Sequence, residues 1–311
     1  MGKVAVLFPG QGAQYVGMGQ DLYLNHEAFK QAYDKADEAL GYKISEICFS
    51  GPKETLALTK VTQPAMLAFG VGVANILKNN QIKIDAYAGL SLGEYGALVM
   101  AGAIDYVSAV KLVEKRGQYM QEAVPVGLGT MAAIIGLESE QVEAICETAK
   151  VKGIVEPANY NCPGQIVIGG EVGAIEYACE LANQAGALKA MVLDVSAPFH
   201  TSMLTPAKEK LEEELKGFEF MQLNTKVVSS VTADYITSET SISEVLSNQV
   251  CSPVKWEETI RKLINDGYDT FITIGPGKSL NGFLKRINKK LKVHFIEDQK
   301  TLSYELERLL K

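Results

Sequence analysis

The stretch Ile84-Asp85-Ala86-Tyr87-Ala88-Gly89-Leu90-Ser91-Leu92-Gly93-Glu94 decides how this chain is read. Its first half is a short apolar run of the kind that forms a buried strand, and its second half is a GxSxG turn. The small and apolar residues that follow, as far as Met100, have the character of a helix. A bare GxSxG is more often an ordinary Gly-Ser turn; the strand before this one and the helix after it set it apart. Glycines at both ends let the backbone turn sharply. Ser91 then projects from the strand end, and the first amides of the helix are aimed at the same point. A hydroxyl held there can attack a carbonyl carbon.

Working outward, Val4 to Phe8 is a second buried strand, and it breaks at once into Gly10-Gln11-Gly12-Ala13-Gln14. Helical periodicity covers residues 27 to 40. A further helix is expected from Thr62-Gln63-Pro64 to about Leu77, with Thr62 as cap and Pro64 in the first turn, and another from about Asp105 to Glu122. From Gly127 the rhythm changes. Strand Thr130 to Ile135, helix Glu138 to Lys150, strands Ile154 to Tyr160 and Gln165 to Gly169, helix Glu171 to Ala185 and strand Leu188 to Val195 give the order βαββαβ. The expected fold class is therefore α/β. A large α/β-hydrolase-like subdomain with a parallel sheet core, residues 1–125 and 197–311, carries an inserted ferredoxin-like subdomain, residues 126–196. Pro125-Val126-Gly127 leads out and Ser196-Ala197-Pro198 leads back, after which helices alternate with short strands such as Phe271 to Ile274.

Composition removes several classes of function. Hydrophobic residues make up 47% of the 311 residues and charged residues 22%, which excludes a disordered chain. Thirty Lys and Arg against 37 Asp and Glu leave a net charge of -7, which argues against a protein that coats nucleic acid or an anionic membrane. The five cysteines are scattered and never spaced CxxC, so neither a disulfide framework nor a zinc knuckle is expected and a reducing compartment fits. The apolar run at the start is too short for a signal peptide, and no stretch is long enough to span a bilayer. The expectation is a soluble, cytoplasmic protein.

A serine nucleophile needs a base, and only three histidines exist: His26, His200 and His294. His26 sits in a polar helix start and His294 in a short strand near a basic segment, where a solvated or packed ring is the simpler reading. His200 follows Ser196-Ala197-Pro198-Phe199, where the inserted unit returns, in a loop able to face a strand-end site. No acidic third member of a triad is identifiable. The loop Gly10 to Gln14 either presents backbone N–H groups to an oxyanion, binds phosphate, or is merely a tight turn; it lacks the order of a phosphate loop. Arg116, among Val113 and Met120, either clamps a carboxylate from a buried position or pairs in solvent with Glu114 or Glu122. Lys278 to Lys292 carries six positive charges and no acid, either a docking face for an acidic partner or a solvated helix.

These features occur together with Thr62-Gln63-Pro64-Ala65, Lys115-Arg116-Gly117, Asn159-Tyr160-Asn161-Cys162-Pro163-Gly164-Gln165 and Gly275-Pro276-Gly277. In that order and spacing the whole chain resembles the malonyl-CoA:acyl carrier protein transacylases of type II fatty acid synthesis. The resemblance implies Ser91 as nucleophile, His200 as general base, and Arg116 as the partner of the free malonyl carboxylate. It implies backbone amides of Gln11 and Leu92 as the oxyanion hole and Gln249 as the residue that orients the histidine in place of an acid. It also puts Met120 near the acyl pocket and Asn159 and Gln165 in the segment lining the cleft. Leu90 departs from many members, which carry His there, at a position without a catalytic role in the family. The implied reaction is ping-pong transfer of malonyl from coenzyme A to the phosphopantetheine thiol of acyl carrier protein, with no bound cofactor and no metal. Lys285, Arg286 and Lys289 are the candidate carrier dock.

Three rivals remain at this stage. A serine thioesterase or esterase would use the same nucleophile with water as acceptor. A non-enzymatic scaffold would have no need of Ser91, His200 and Arg116 together. A freestanding acyltransferase that loads polyketide carriers would share every motif.

Overall fold

A computed structural model describes residues 2–195 and 197–311; Ser196, part of the expected return segment, lies outside the described residues. Two sheets organise the chain. Strands β1 (Lys3–Phe8), β2 (Ala86–Gly89), β7 (Lys226–Val228), β8 (Tyr268–Ile274) and β9 (Lys292–Ile296) form a parallel sheet in the order β7-β2-β1-β8-β9. Strands β3 (Gly129–Ile135), β4 (Val155–Cys162), β5 (Gln165–Glu171) and β6 (Lys189–Val192) form an antiparallel sheet in the order β4-β5-β3-β6.

Strand β1 lies at the centre of the parallel sheet, and its composition explains why. Successive side chains of a strand point to opposite faces. Val4, Val6 and Phe8 enter one core with the helix Thr59–Asn79, while Ala5 and Leu7 enter a second with Trp256, Ile260 and Leu284. Both faces are covered, so the strand is apolar throughout and does not alternate with polar residues. The antiparallel sheet is divided in the same way. Ala132 and Ile134 of β3 pack on Val142, Ile145 and Ile175 of its own two helices, Ser139–Ala149 and Val172–Gln184, whereas Met131 and Ala133 face the larger core. The order and directions are those of the ferredoxin-like unit expected from the sequence.

The edge strand β4 is tied to the segment between the helices Ile242–Gln249 and Trp256–Asn265. Asn159 pairs with Val254 outside the named strands, with Tyr160 N–H donating to the Val254 carbonyl and Val254 N–H to the Ala158 carbonyl, both at 2.9 Å. The next residue, Lys255, donates its N–H to Ser230 O at 2.7 Å, just past the C-terminal end of β7, so the bridge ties β4 to the side on which β1 and β2 deliver their loops.

Several boundaries differ from expectation: β6 ends at Val192 and not Val195, β4 and β5 run on to Cys162 and Glu171, and one helix start moves for a clear physical reason. The helix expected from Thr62 begins at Thr59, and Pro64 lies inside it. Thr62 does not cap: its hydroxyl donates to the Leu56 carbonyl at 2.6 Å, and its N–H continues the helix by donating to Leu58 O at 2.8 Å. The helix is buried along nearly its whole length, and tertiary packing of that apolar surface outweighs the local signal that Thr-Gln-Pro carries.

Candidate active site

Strand β2 ends at Gly89, and the helix Gly93–Met100 begins four residues later. Ser91 between them has φ of +53°, a left-handed conformation that non-glycine residues adopt only when the surroundings impose it. The two glycines make the turn possible by close approach. A Cβ on Gly89 would stand 1.9 Å from the Gly93 carbonyl carbon, and one on Gly93 would stand 2.3 Å from the Phe8 carbonyl oxygen. The strained serine is thus held at the top of the sheet, at the mouth of a cleft of about 390 Å³ between the two sheets. Gln11, Met120, Asn159, Phe199 and His200 line the same cleft.

His200 also has a positive φ, +65°, and is only 4% exposed. Its Nε2 is 2.7 Å from Ser91 Oγ, and its Nδ1 is 2.8 Å from the backbone carbonyl of Gln249. A carbonyl oxygen can only accept, so Nδ1 carries the ring proton and Nε2 is left as the acceptor facing the serine hydroxyl. Burial, with the nearby Arg116 charge as second cause, pushes the His200 pKa down to about 4. The ring is therefore neutral at ordinary pH and able to take a proton.

Arg116 lies on the helix Tyr106–Glu122, capped by the Asp105 side chain, and is 1% exposed. Its Nη1 donates to Gln63 Oε1 at 2.8 Å; its Nη2 donates to Gln249 Oε1 at 3.0 Å and to Ser91 Oγ at 3.3 Å. The guanidinium sits 5.4 Å from the centre of the Tyr95 ring. Burial lowers its pKa from the ordinary arginine value, opposed by Tyr95 and Glu94. A buried, charged fork against the nucleophile offers an anionic substrate group a partner that water does not screen. Of the two readings left open by the sequence, the buried one holds; pairing with Glu114 or Glu122 does not occur.

The expected orienting role of Gln249 is divided between its backbone and its side chain. The carbonyl meets His200, while the amide joins Arg116 to Glu94, Nε2 donating to Glu94 Oε2 at 2.6 Å. Neither the Gln11 nor the Leu92 N–H has a protein acceptor among the described residues. Met120 and Asn159 line the cleft. Gln165 does not line it. Gln165 stands at the start of β5, where its Oε1 accepts from Arg286 Nη1 at 3.4 Å, and Asn161 takes the lining position. Gln165 shares its face of β5 with Val167, which lines the cleft, but it sits at the end of the strand, where the ladder shifts register between Tyr160 and Cys162 and Asn161 is the extra residue that reaches the cleft. Lys285, Arg286 and Lys289 are exposed on and just beyond the helix Ser279–Ile287, whose Leu280 and Phe283 border the cleft. The other histidines are occupied elsewhere: His26 bonds Gln299, and His294 bonds Glu305.

Two residues of the site were not singled out from the sequence. Gln63 anchors Arg116; its Thr-Gln-Pro context reads as a helix start and as part of the family resemblance, with no role for Gln63 itself. Glu94, one residue past the GxSxG, is fully buried, a placement no charged residue beside a turn announces. Among the described residues, no three His, Cys, Asp or Glu side chains gather as a metal ion would require, and no helix is long and apolar enough to cross a membrane.

Comparison with known proteins agrees with this geometry. Residues 6–297 match the family model described as acyl transferase domain. The chain is 46% identical to the malonyl CoA-acyl carrier protein transacylase of Bacillus subtilis, over 99% of this chain and 98% of the relative. A crystal structure of malonyl CoA-acyl carrier protein transacylase from Clostridium perfringens superposes with a TM-score of 0.96 at 47% identity, covering 99% of this chain and 97% of that one. A malonyl-transacylase solved in complex with its type II PKS acyl-carrier protein superposes with a TM-score of 0.96 at 40% identity, over 98% and 99% of the two chains. A nucleophile elbow, a neutral buried histidine and a buried arginine thus stand in a chain that belongs to the acyl transferase domain family, in its malonyl CoA-acyl carrier protein transacylase group.

Proposed function

We propose that this protein transfers the malonyl group from malonyl-CoA to the phosphopantetheine thiol of acyl carrier protein, supplying fatty acid elongation. The observation that carries the reading is the Arg116 guanidinium, buried and 3.3 Å from Ser91 Oγ. His200 Nε2 takes the Ser91 proton as Oγ attacks the thioester carbonyl, and the N–H groups of Gln11 and Leu92 receive the oxyanion. Collapse of the tetrahedral adduct breaks the C–S bond; the protonated imidazole returns its proton to the departing thiolate, leaving malonyl-Ser91. The carrier thiol then runs the same steps in reverse, so the kinetics are ping-pong. Arg116 pairs with the malonyl carboxylate throughout, and Gln249 holds both the His200 tautomer and one side of Arg116. Met120 and Asn159 shape the acyl pocket.

No bound cofactor is needed, since the phosphopantetheine arrives on the partner. Lys285, Arg286 and Lys289, exposed beside the cleft, suit the docking of an acidic carrier. We also read residues 126–196 as a unit inserted between 1–125 and 197–311, and place the protein in the cytoplasm, which its five unpaired cysteines favour.

The deciding experiment is intact-protein mass after brief exposure to malonyl-CoA or acetyl-CoA, for the native protein and a Ser91→Ala variant, with and without phosphopantetheinylated carrier. The expected result is a malonyl adduct that needs Ser91, forms poorly from acetyl-CoA and is discharged to the carrier. An adduct that decays to free malonate without the carrier would instead make the protein a thioesterase.

A further inference from the structure

The charge beside the nucleophile is not alone in the core. Arg116 and Glu94 are 1% and 0% exposed, yet among the described residues no carboxylate touches the guanidinium. Between them stands the Gln249 side chain, accepting from Arg116 Nη2 through Oε1 and donating from Nε2 to Glu94 Oε2. The same carboxylate oxygen receives the Ser230 N–H at 3.2 Å and the Ser230 hydroxyl at 2.8 Å. Burial pushes the pKa of Glu94 up from the ordinary carboxylate value, opposed by the Ser230 and Gln249 donors on Oε2, which favour the ionised form; Oε1 is buried without a partner among the described residues.

A buried guanidinium with no counter-charge is costly. A direct bidentate pair with a glutamate would relieve that cost, but it would fill the fork that an incoming carboxylate has to use. One interposed amide resolves the conflict. It carries the polarisation from one charge to the other and leaves the guanidinium edge beside Ser91 open. It also accounts for the Gln249 side chain, whose backbone carbonyl alone serves His200.

We propose that Glu94, acting through the Gln249 amide, is the resident counter-charge of Arg116 and a specificity-determining positioning residue. It weakens the hold of the site on the malonyl carboxylate enough for the acyl group to be passed on. The inference rests on the reading that malonyl is the group carried.

The test measures equilibrium binding of malonyl-CoA and acetyl-CoA by calorimetry on a Ser91→Ala background, with and without Glu94→Gln. The glutamine keeps the shape and the acceptor at Oε2 and removes the charge, with its NH2 placed where Oε1 has no partner, so both thioesters are measured to separate the charge from any general loosening. Malonyl-CoA affinity is expected to tighten by about tenfold, the effect of deleting a like charge under about 10 Å away in a partly shielded interior. Acetyl-CoA affinity should stay unchanged, because acetyl carries no charge to repel. In the active enzyme the same substitution lowers KM for malonyl-CoA without raising kcat. Unaltered or weaker malonyl-CoA binding, or equal shifts for both thioesters, would overturn the proposal. Should Glu94→Gln fail to fold, Ser230→Ala removes a donor that partly offsets the carboxylate charge and must weaken malonyl-CoA binding by a smaller factor while leaving acetyl-CoA binding unchanged; no shift, or tighter binding, overturns it as well. A Ser91→Ala protein that does not prefer malonyl-CoA to acetyl-CoA would sink the malonyl reading itself. A retained preference indifferent to Glu94→Gln would sink only the counter-charge.

Discussion

Titration of the enzyme through the acid range tests the His200 environment directly. The neutral ring is the working base, and its pKa is pushed down to about 4, first by burial and second by Arg116, from an ordinary 6.5. A base that protonates at about 4 is still about 97% neutral at pH 5.5, whereas an unperturbed histidine would be about 9% neutral. The rate of malonyl-Ser91 formation, followed by quenched flow and intact mass, is thus expected to hold nearly level from pH 7.5 to 5.5 and to fall only below about 5. Linkage adds a second consequence. Because the folded pKa lies below the unfolded one, burying neutral His200 contributes full stability above about 6.5, and this is lost as pH falls from 6.5 towards 4. The difference amounts to about 3 kcal/mol. Circular dichroism at each pH separates loss of fold from loss of base. Running acetyl-CoA beside malonyl-CoA separates titration of the substrate carboxylate. Arg116→Met removes the second cause, and its acid limb should move up in pH. An acid limb centred between 6 and 7 in the native enzyme would refute the reasoning, since it would mean that neither burial nor Arg116 acts on the ring.

Arg116→Ala should lower kcat/KM for malonyl-CoA by about 100-fold, as loss of a charge-assisted bidentate contact of about 3 kcal/mol implies, and should leave acetyl-CoA no worse; a variant that keeps its malonyl preference contradicts the assigned role. Gly93→Ala should destabilise the fold by more than about 2 kcal/mol in chemical denaturation and abolish acylation, because its Cβ would stand 2.3 Å from Phe8 O; a stable, active variant would show that the elbow relaxes at little cost. Charge reversal at Lys285, Arg286 and Lys289 together should raise KM for the carrier severalfold at low salt and leave acyl-enzyme formation from malonyl-CoA untouched. Unchanged transfer to the carrier would remove that face as the dock.

Much of this was legible in residues that act through local geometry. Gly89-Leu90-Ser91-Leu92-Gly93 can only be a tight elbow when a strand precedes it and a helix follows, so Ser91 was readable before any contact was known. His200 was readable by elimination among three histidines and by its place at the return of the inserted unit. The ferredoxin-like order followed from the change of period between Gly127 and Val195. Gln165 misses the cleft although it shares a strand face with Val167, because it stands at the end of β5 beside a register shift that the sequence does not announce. The start of the helix at Thr59 was missed because burial of its apolar surface overrode the cap signal of Thr62.

Local sequence carries the elbow, the strands that deliver it, the βαββαβ order, and the serine and histidine proposed as nucleophile and base. All of these depend on the conformational limits of neighbouring residues and on hydrophobic period. The burial of Arg116 against Ser91 and the choice of His200 tautomer by the Gln249 backbone arise only in the folded chain. So does the place of Glu94, one amide away from the guanidinium. Those relations join residues 25 to 155 positions apart. Their chemistry comes from desolvation and direction of approach, which exist only once the two sheets close over the cleft.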